Sequence, residues 1–300
     1  MNAGTSPRAR LLTVRHVTVY RYWEPVRLGE HRMMFRPRES HDLRLIETSL
    51  EILPQPAQLR WLHDVFDNSV AIASFGDPTS ELRFGSTVVL EHCETLLPDY
   101  ALEADALNHP FRYPDDERPD LAGALMRRYP EPEVDLWAAG FLNAPGPTGT
   151  MALLHAMTRG IKDRLGYIRR TRKGVQSPGE TLRRGRGSCR DFALLMMEAA
   201  RSLGFAARFV SGYIFVPEPD SGTTVGGGAT HAWLQVYLPG AGWVDFDPTN
   251  SIVGNRDLIR VAVAWDPRQV LPLWGSFVGS TSAPRDMTVE VSVTETARLL

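Results

Sequence analysis

Cysteine is nearly absent: Cys93 and Cys189 are the only two in 300 residues. Two thiols so far apart in sequence make no disulfide framework, and no Cys/His cluster has zinc spacing. No Asp-x-Asp-x-Asp-Gly loop for calcium occurs, so no metal and no cofactor is expected. An excess of one charge is also missing. The net charge is −2, which gives no global field towards nucleic acid or an anionic membrane. No apolar run approaches the length of a membrane span. Arg8, Arg10 and Arg15 are followed by no continuous apolar stretch of the signal-peptide type. The expectation is a soluble chain in a reducing, cytoplasmic setting, with neither a nucleic-acid nor a membrane partner. The apolar fraction of 43% suits an ordinary globular protein, and the length suits one large or two ordinary domains.

The first third reads as strands. Leu12–Tyr20, Leu43–Leu53, Ser69–Phe75 and Ser86–His92 carry β-branched or alternating apolar residues. Turn signals such as Asp67-Asn68 and Gly76-Asp77-Pro78 separate them. The spacing predicts a β-sandwich-like domain over residues 1–97. His41-Asp42, His63-Asp64 and Arg36-Pro37-Arg38 are read as loops and strand ends. Adjacent residues of a strand point to opposite faces, so His63 and Asp64 are not expected to act together. Pro98, Pro110, Pro114 and Pro119 break the pattern, and residues 98–120 are read as a linker. A second domain over 121–300 starts with helix candidates at Leu121–Arg128 and Thr148–Leu165.

The most informative stretch is GSCRDFALLMMEAARSLGFAARFVSGY, from Gly187 to Tyr213. Phe192, Leu195, Met196, Ala199, Ala200 and Leu203 recur at helical spacing. Gly204 stands where a helix ends, and Ala206–Val216 reads as a strand. Cys189 thus falls in the first turn of a helix, where the dipole favours an anion and a thiol ionises more readily. Asp191 is read as a cap for the same turn. Downstream, THAWLQVYLPGAGWVDFDPTN forms a hairpin, with His231 opening one arm and a carboxylate closing the other. A cysteine nucleophile, a histidine base and an acid to hold the imidazole are the parts of acyl-transfer catalysis. Asp245 and Asp247 share strand parity, so period-two geometry does not choose between them.

These blocks, in this order, resemble the core of the transglutaminase-like superfamily in its bacterial form. The likeness covers Tyr167 to Asn250 closely, and Val14 to Phe75 resembles the β-rich domain that precedes such cores. The resemblance implies an α+β architecture: a β-sandwich-like N-terminal domain followed by a papain/transglutaminase-like core, with a Cys-led helix packed on an antiparallel sheet. It implies Cys189 as nucleophile, His231 as base and Asp247 as the orienting carboxylate. Tyr167 matches an aromatic that the family carries upstream of the cysteine. Tyr167 and Arg190 are the oxyanion or substrate candidates, beside the backbone N–H of Cys189.

Three further readings complete the sequence. Ile168–Arg190 is strongly basic: either an electropositive rim of the site or, as charge runs usually are, a solvated loop. Pro217–Thr230 is Gly-rich and reads as a flexible loop beside His231. Leu258–Trp265 and Met287–Val293 read as strands of the catalytic sheet. The chemistry expected is acyl transfer from a peptide or protein substrate. Hydrolysis is favoured over transfer to an amine, and a non-catalytic binding protein on the same fold is the competing reading.

Overall fold

The computed structural model describes residues 9–94, 101–143, 145–169, 174–217, 224–280 and 282–296. The chain opens with five strands: β1 (Ala9–Met33), β2 (Leu43–Leu53), β3 (Gln58–His63), β4 (Ser69–Ser74) and β5 (Thr79–Cys93). They hydrogen-bond in the order β2-β5-β1-β4-β3. β1 is long enough to serve two packing layers. Its first part, with Leu12, Val14, His16 and Thr18 buried in alternation, faces the second half of the molecule. Its later part, with Tyr22, Val26, Leu28 and Met33, closes a separate core with Phe35, Ile52, Leu82 and Phe84. This is the β-sandwich-like arrangement expected from the strand spacing.

β3 escapes sequence reading for a physical reason. It is an edge strand with all six residues exposed, so no buried face imposes a two-residue period on it. His63 is exposed there and, among the described residues, pairs with Asp67 at 3.7 Å. Asp64 instead accepts hydrogen bonds from the Phe66 and Asn68 backbone and the Asn68 side chain, so the two neighbours do not act together.

The segment read as a linker is packed rather than free. β6 (Asn108–His109) pairs with β7 (Thr148–Gly149). His109 stacks on Phe205, and the Tyr113 hydroxyl donates to Tyr237 O while accepting from Ala206 N. Pro110 and Pro114 lie in irregular backbone of this segment, while Pro119 lies in the first turn of a helix. Between β6 and β7 and beyond lie α1 (Arg118–Leu125), α2 (Pro132–Ala139), α3 (Thr150–Arg164), β8 (Gly166–Tyr167), α4 (Pro178–Arg184) and β9 (Arg186–Gly187). α4 falls inside the basic run. Ser177 caps it by accepting from Glu180 N, and Pro178 sits in its first turn, where no donor is lost.

α5 (Cys189–Ser202) is the centre of the molecule. The sequence predicts one buried face, but the helix is buried on nearly every side, between α2, α4 and the catalytic sheet. That sheet is antiparallel, in the order β13 (Ile252–Val253), β12 (Gly242–Asp247), β11 (His231–Leu238), β10 (Ala207–Ile214), β14 (Leu258–Ala264). Total burial forces Glu198 and Arg201 of the helix to pair. Arg201 Nη1 donates to Glu198 Oε1 at 2.7 Å, and the rest of the guanidinium donates to Ala124 O, Ala207 O and Trp265 O. Glu198 Oε2 accepts from the Arg128 and Tyr129 backbone.

The C-terminal strands correct one expectation. β14 joins the catalytic sheet, as read. The strand containing Met287–Val293 does not. β15 (Leu273–Val278) and β16 (Pro284–Glu295) both pair antiparallel with β1, β16 in register from Leu12↔Glu295 to Tyr22↔Pro284. Alternation identifies a strand, but its partner is a long-range choice that the pattern does not carry. β1 had a free edge, and β16 fills it.

Removing one member of the Glu198–Arg201 pair leaves a charge buried without its counter-ion. Arg201→Ala is therefore expected to lower the unfolding free energy by about 3–5 kcal/mol, measured by urea denaturation. Substitution of exposed Arg184 on α4 should change it by no more than about 1 kcal/mol.

Candidate active site

Four short elements bring the site together. β8 and β9 run parallel, with Tyr167 beside Gly187, and β9 leads through Ser188 into α5. The first turn of that helix is fixed by Asp191. Its Oδ2 accepts from Ser188 N and Oγ, both at 2.8 Å, and its Oδ1 accepts from Gln176 N at 2.7 Å. Asp191 is thus the cap that the sequence suggests. Gly187 is needed for close approach, since a Cβ there would meet the Asp191 and Phe192 side chains. Cys189 is the first helical residue and only 8% exposed. As a first-turn residue, its N–H has no partner within the helix.

His231 opens β11 and Asp247 closes β12. Both side chains are fully buried, with Nε2 of the imidazole 2.8 Å from Asp247 Oδ2. The second ring nitrogen, Nδ1, is buried and has no hydrogen bond of normal geometry among the described residues. It lies against Gly226, where a Cβ would come within 2.6 Å of it. Burial alone would hold the imidazole neutral. The charge and hydrogen bond of Asp247, together with the hydrogen-bonding and charge interaction of Cys189, outweigh burial and raise the His231 pKa to about 10. Burial likewise works against a charged Asp247, but His231, Asn250 and the Thr249 N–H keep its carboxyl below the ordinary range.

The geometry separates the two candidate acids. Asp247 Oδ2 accepts from His231 and from Asn250 Nδ2, and Oδ1 accepts from Thr249 N at 2.9 Å. Asp245 Oδ1 accepts from Trp233 Nε1 at 2.6 Å. Burial pushes the Asp245 carboxyl up, against the opposing pull of Arg260, Trp233 and Gln235. One aspartate is anchored as an anion beside the imidazole; the other holds an indole. Trp233 in turn stacks on the His231 ring, with centroids 6.0 Å apart.

Tyr167 is half-buried next to the cysteine. Burial first, then the charge of Cys189, raises its phenol to about 12. It therefore keeps its proton and can donate. Arg190, half-buried on the first turn of α5, makes no ion pair among the described residues but acts electrostatically on Tyr167. The expected basic rim is only partly realised. Arg183 pairs with Glu133, and Arg184 pairs with Glu180 at 2.7 Å, both from α4. Arg169 lines the cleft, while residues 170–173 lie outside the described residues. The cleft, 450 Å³ in volume, is bounded by Tyr167, Arg169, Val216, Val225 and Gly226. The Gly-rich segment thus forms one wall of it, its 218–223 part lying outside the described residues. No cluster of three or more His, Cys, Asp or Glu among the described residues could hold a metal ion.

Two residues of the site escape sequence reading. Gly226, at φ +103°, looks like one more glycine of a polar loop until its contact with His231 is seen. Asn250 ends the Asp-Pro-Thr-Asn turn. Its spacing of three from the acid was the available signal, since side chains of such turns reach back to the first residue.

Comparison with known proteins places this geometry in context. Residues 12–91 match the model of the bacterial transglutaminase-like N-terminal region, and residues 142–248 match that of the transglutaminase-like superfamily. An uncharacterized protein of Mycobacterium leprae is 30% identical over 298 residues, covering 94% of this chain and 98% of its own. One from Mycobacterium tuberculosis is 28% identical over 293 residues, covering 93% and 91%. Among solved structures, a proposed cysteine protease from Cytophaga hutchinsonii aligns over 98% of this chain and 94% of its own, with a TM-score of 0.69 and 19% identity. The fold is shared with that structure.

The ion pair has a sign that can be measured. The His231 contribution to stability is complete below pH 6.5 and lost as pH rises through about 10; that of Asp247 is complete above pH 3.8 and lost as pH falls through its depressed pKa. In Asp247→Asn, burial prevails and the imidazole should deprotonate below 6.5, as read from its ring resonances by NMR. Asp245→Asn, which keeps an acceptor for Trp233, should leave that titration within about half a unit.

Proposed function

The chain belongs to the transglutaminase-like superfamily, and from that premise we propose a cysteine-dependent acyl transfer through a thioester, with hydrolysis of a peptide or amide bond as its outcome. The observation that carries the reading is the buried His231–Asp247 pair at 2.8 Å, whose second ring nitrogen packs against Gly226 of the cleft wall and whose ring interacts with Cys189.

In this reading the Cys189 sulfur, as thiolate beside imidazolium, attacks the carbonyl carbon of the substrate. The C–S bond forms, and the carbonyl electron pair moves onto oxygen. The N–H of Cys189, which has no partner within the helix, and the Tyr167 hydroxyl are the donors assigned to that oxyanion in this reading; loss of one such donor costs about 10²–10³ in rate. The C–N bond then breaks, and the proton on His231 Nδ1 goes to the leaving amine. Nδ1 is the right atom, because Nε2 is committed to Asp247. Water next attacks the thioester, His231 takes its proton, and the thiolate leaves. Asp247 holds the ring and its charge throughout.

Hydrolysis is preferred because water reaches any thioester from which it is not excluded, and Tyr167, whose phenol feels the charge of Cys189, lines an open cleft. The structural likeness to a proposed cysteine protease is consistent with this choice but, at 19% identity, speaks to fold. Transfer to an amine uses the same residues and is the alternative. A cytoplasmic setting is part of the proposal, supported by two unbridged cysteines.

Incubation with a glutamine-containing peptide library and a primary amine, followed by mass spectrometry, tests the reading. Cleaved or deamidated peptides without amine adducts are expected, and Cys189→Ala should abolish them. Amine-linked products would replace hydrolysis by transglutamination. No product, with Cys189 alkylated no faster than Cys93 at pH 5.5, would favour a non-catalytic protein.

A further inference from the structure

Asn250 makes hydrogen bonds in two directions. Its Nδ2 donates to Asp247 Oδ2 at 2.8 Å and to Val225 O at 2.9 Å, and its Oδ1 accepts from Val225 N at 2.8 Å. One amide therefore grips both backbone groups of a loop residue and, with the same nitrogen, the oxygen that holds His231. The gripped loop is the wall of the cleft. Gly226, next to Val225, lies against His231 Nδ1 too closely for any side chain. The loop thus touches the histidine on one side of the ring, and Asn250 touches the aspartate on the other.

We infer that Asn250 is a positioning residue for the acyl-transfer chemistry: it couples the placement of the 224–227 wall to the orientation and charge of the His231–Asp247 pair. The inference rests on the reading of the site given above. Two physical consequences support it. A carboxylate buried away from water needs its lone pairs filled, and Asn250 supplies a donor to the oxygen already bonded to His231. A cleft wall with few backbone bonds among the described residues has low local stability, and the bidentate grip on Val225 supplies two. The grip is specific to a carboxamide, because the loop needs an acceptor and a donor together and the carboxylate needs a donor. Aspartate offers no N–H, and alanine offers nothing.

The role is distinguishable from plain structural support by the way it depends on pH. The charged and titratable groups around the pair are Cys189 from α5 and Tyr167 from β8, with Arg169 and Arg190 acting on Tyr167. Asn250 acts on Asp247 itself. If it positions the pair, losing it weakens the imidazolium that accompanies the thiolate. Reactivity of Cys189 then falls at acid pH, where the thiolate depends on its partner, and converges with wild type at alkaline pH, where any thiol ionises.

The test is the rate of Cys189 alkylation by iodoacetamide between pH 5 and 9, resolved from Cys93 by peptide mass spectrometry. Hydrogen exchange over residues 224–229 is followed in parallel. For Asn250→Ala the expected result is at least about a tenfold loss of rate at pH 5.5, with less than about threefold at pH 9 and faster exchange in the loop. Asn250→Asp, which keeps an acceptor for Val225 N, should lose reactivity at pH 5.5 while its loop exchange stays nearer wild type. Wild-type reactivity at pH 5.5 in either variant overturns the inference. So does a loss of equal size at every pH, which would mark general damage to the cleft. Wild-type Cys189 that labels no faster than Cys93 at pH 5.5 removes the acyl-transfer reading and this inference with it. Fast wild-type labelling with an unaffected Asn250→Ala removes this inference alone.

Discussion

The site depends on a carboxylate kept charged in the dark interior of the protein. Asp247 has no exposed surface, and an anion there is tolerated only if donors and a counter-charge replace water. Thr249 N, Asn250 Nδ2 and His231 Nε2 do so. Each comes from the turn after β12 or the neighbouring β11, so the hairpin is both the scaffold and the solvation shell. The imidazole is charged because the carboxylate is, and a thiolate at the head of α5 would complete an alternation of sign across the sheet edge. Around this the sheet itself is apolar: Ala232, Leu234, Val236, Val244 and Phe246 belong to the same core as Phe192, Leu195 and Met196 of α5.

Burial has a second effect on the helix that carries the cysteine. A helix packed on one face can rotate or slide within limits set by the other face. α5 cannot, since Leu194, Met197, Glu198 and Arg201 are as buried as Phe192 and Met196. Its internal ion pair ties the C-terminal half to α1, the start of β10 and the chain after β14. The Asp191 cap ties the N-terminal end to residue 176. The first turn is thereby held from both ends of the helix.

Much of this is legible in the chain because it is local. The α5 periodicity, Gly204, the strand after it and the hairpin around Pro239-Gly240 are short-range signals, and the pattern Cys189, His231, Asp247 follows from them. The choice between Asp245 and Asp247 is not local: it depends on which ring each carboxylate meets across the hairpin. α4 is hidden by charge: its Ser-Pro-x-Glu start has correct capping spacing but lies within a run dominated by arginines. The helix turns part of a presumed basic rim into paired surface charge. Total burial of α5 was also illegible. Glu198 and Arg201 look like surface residues until their partners, contributed by α1, β10 and the segment after β14, are assembled around them.

The pairing of β16 with β1 ties residue 295 to residue 12. During synthesis β1 leaves the ribosome before β16, and the edge that β16 fills stays without that partner until the chain between them has followed. An unsatisfied strand edge of that length is a template for other chains, and loop closure of this span is slow. The N-terminal third, which resembles an independent module when read in order, thus completes its sheet only when the C-terminal strands arrive. Any lengthening of the delay between the two ends, by slow translation or a stalled chain, prolongs the exposure of the one strand that both packing layers share.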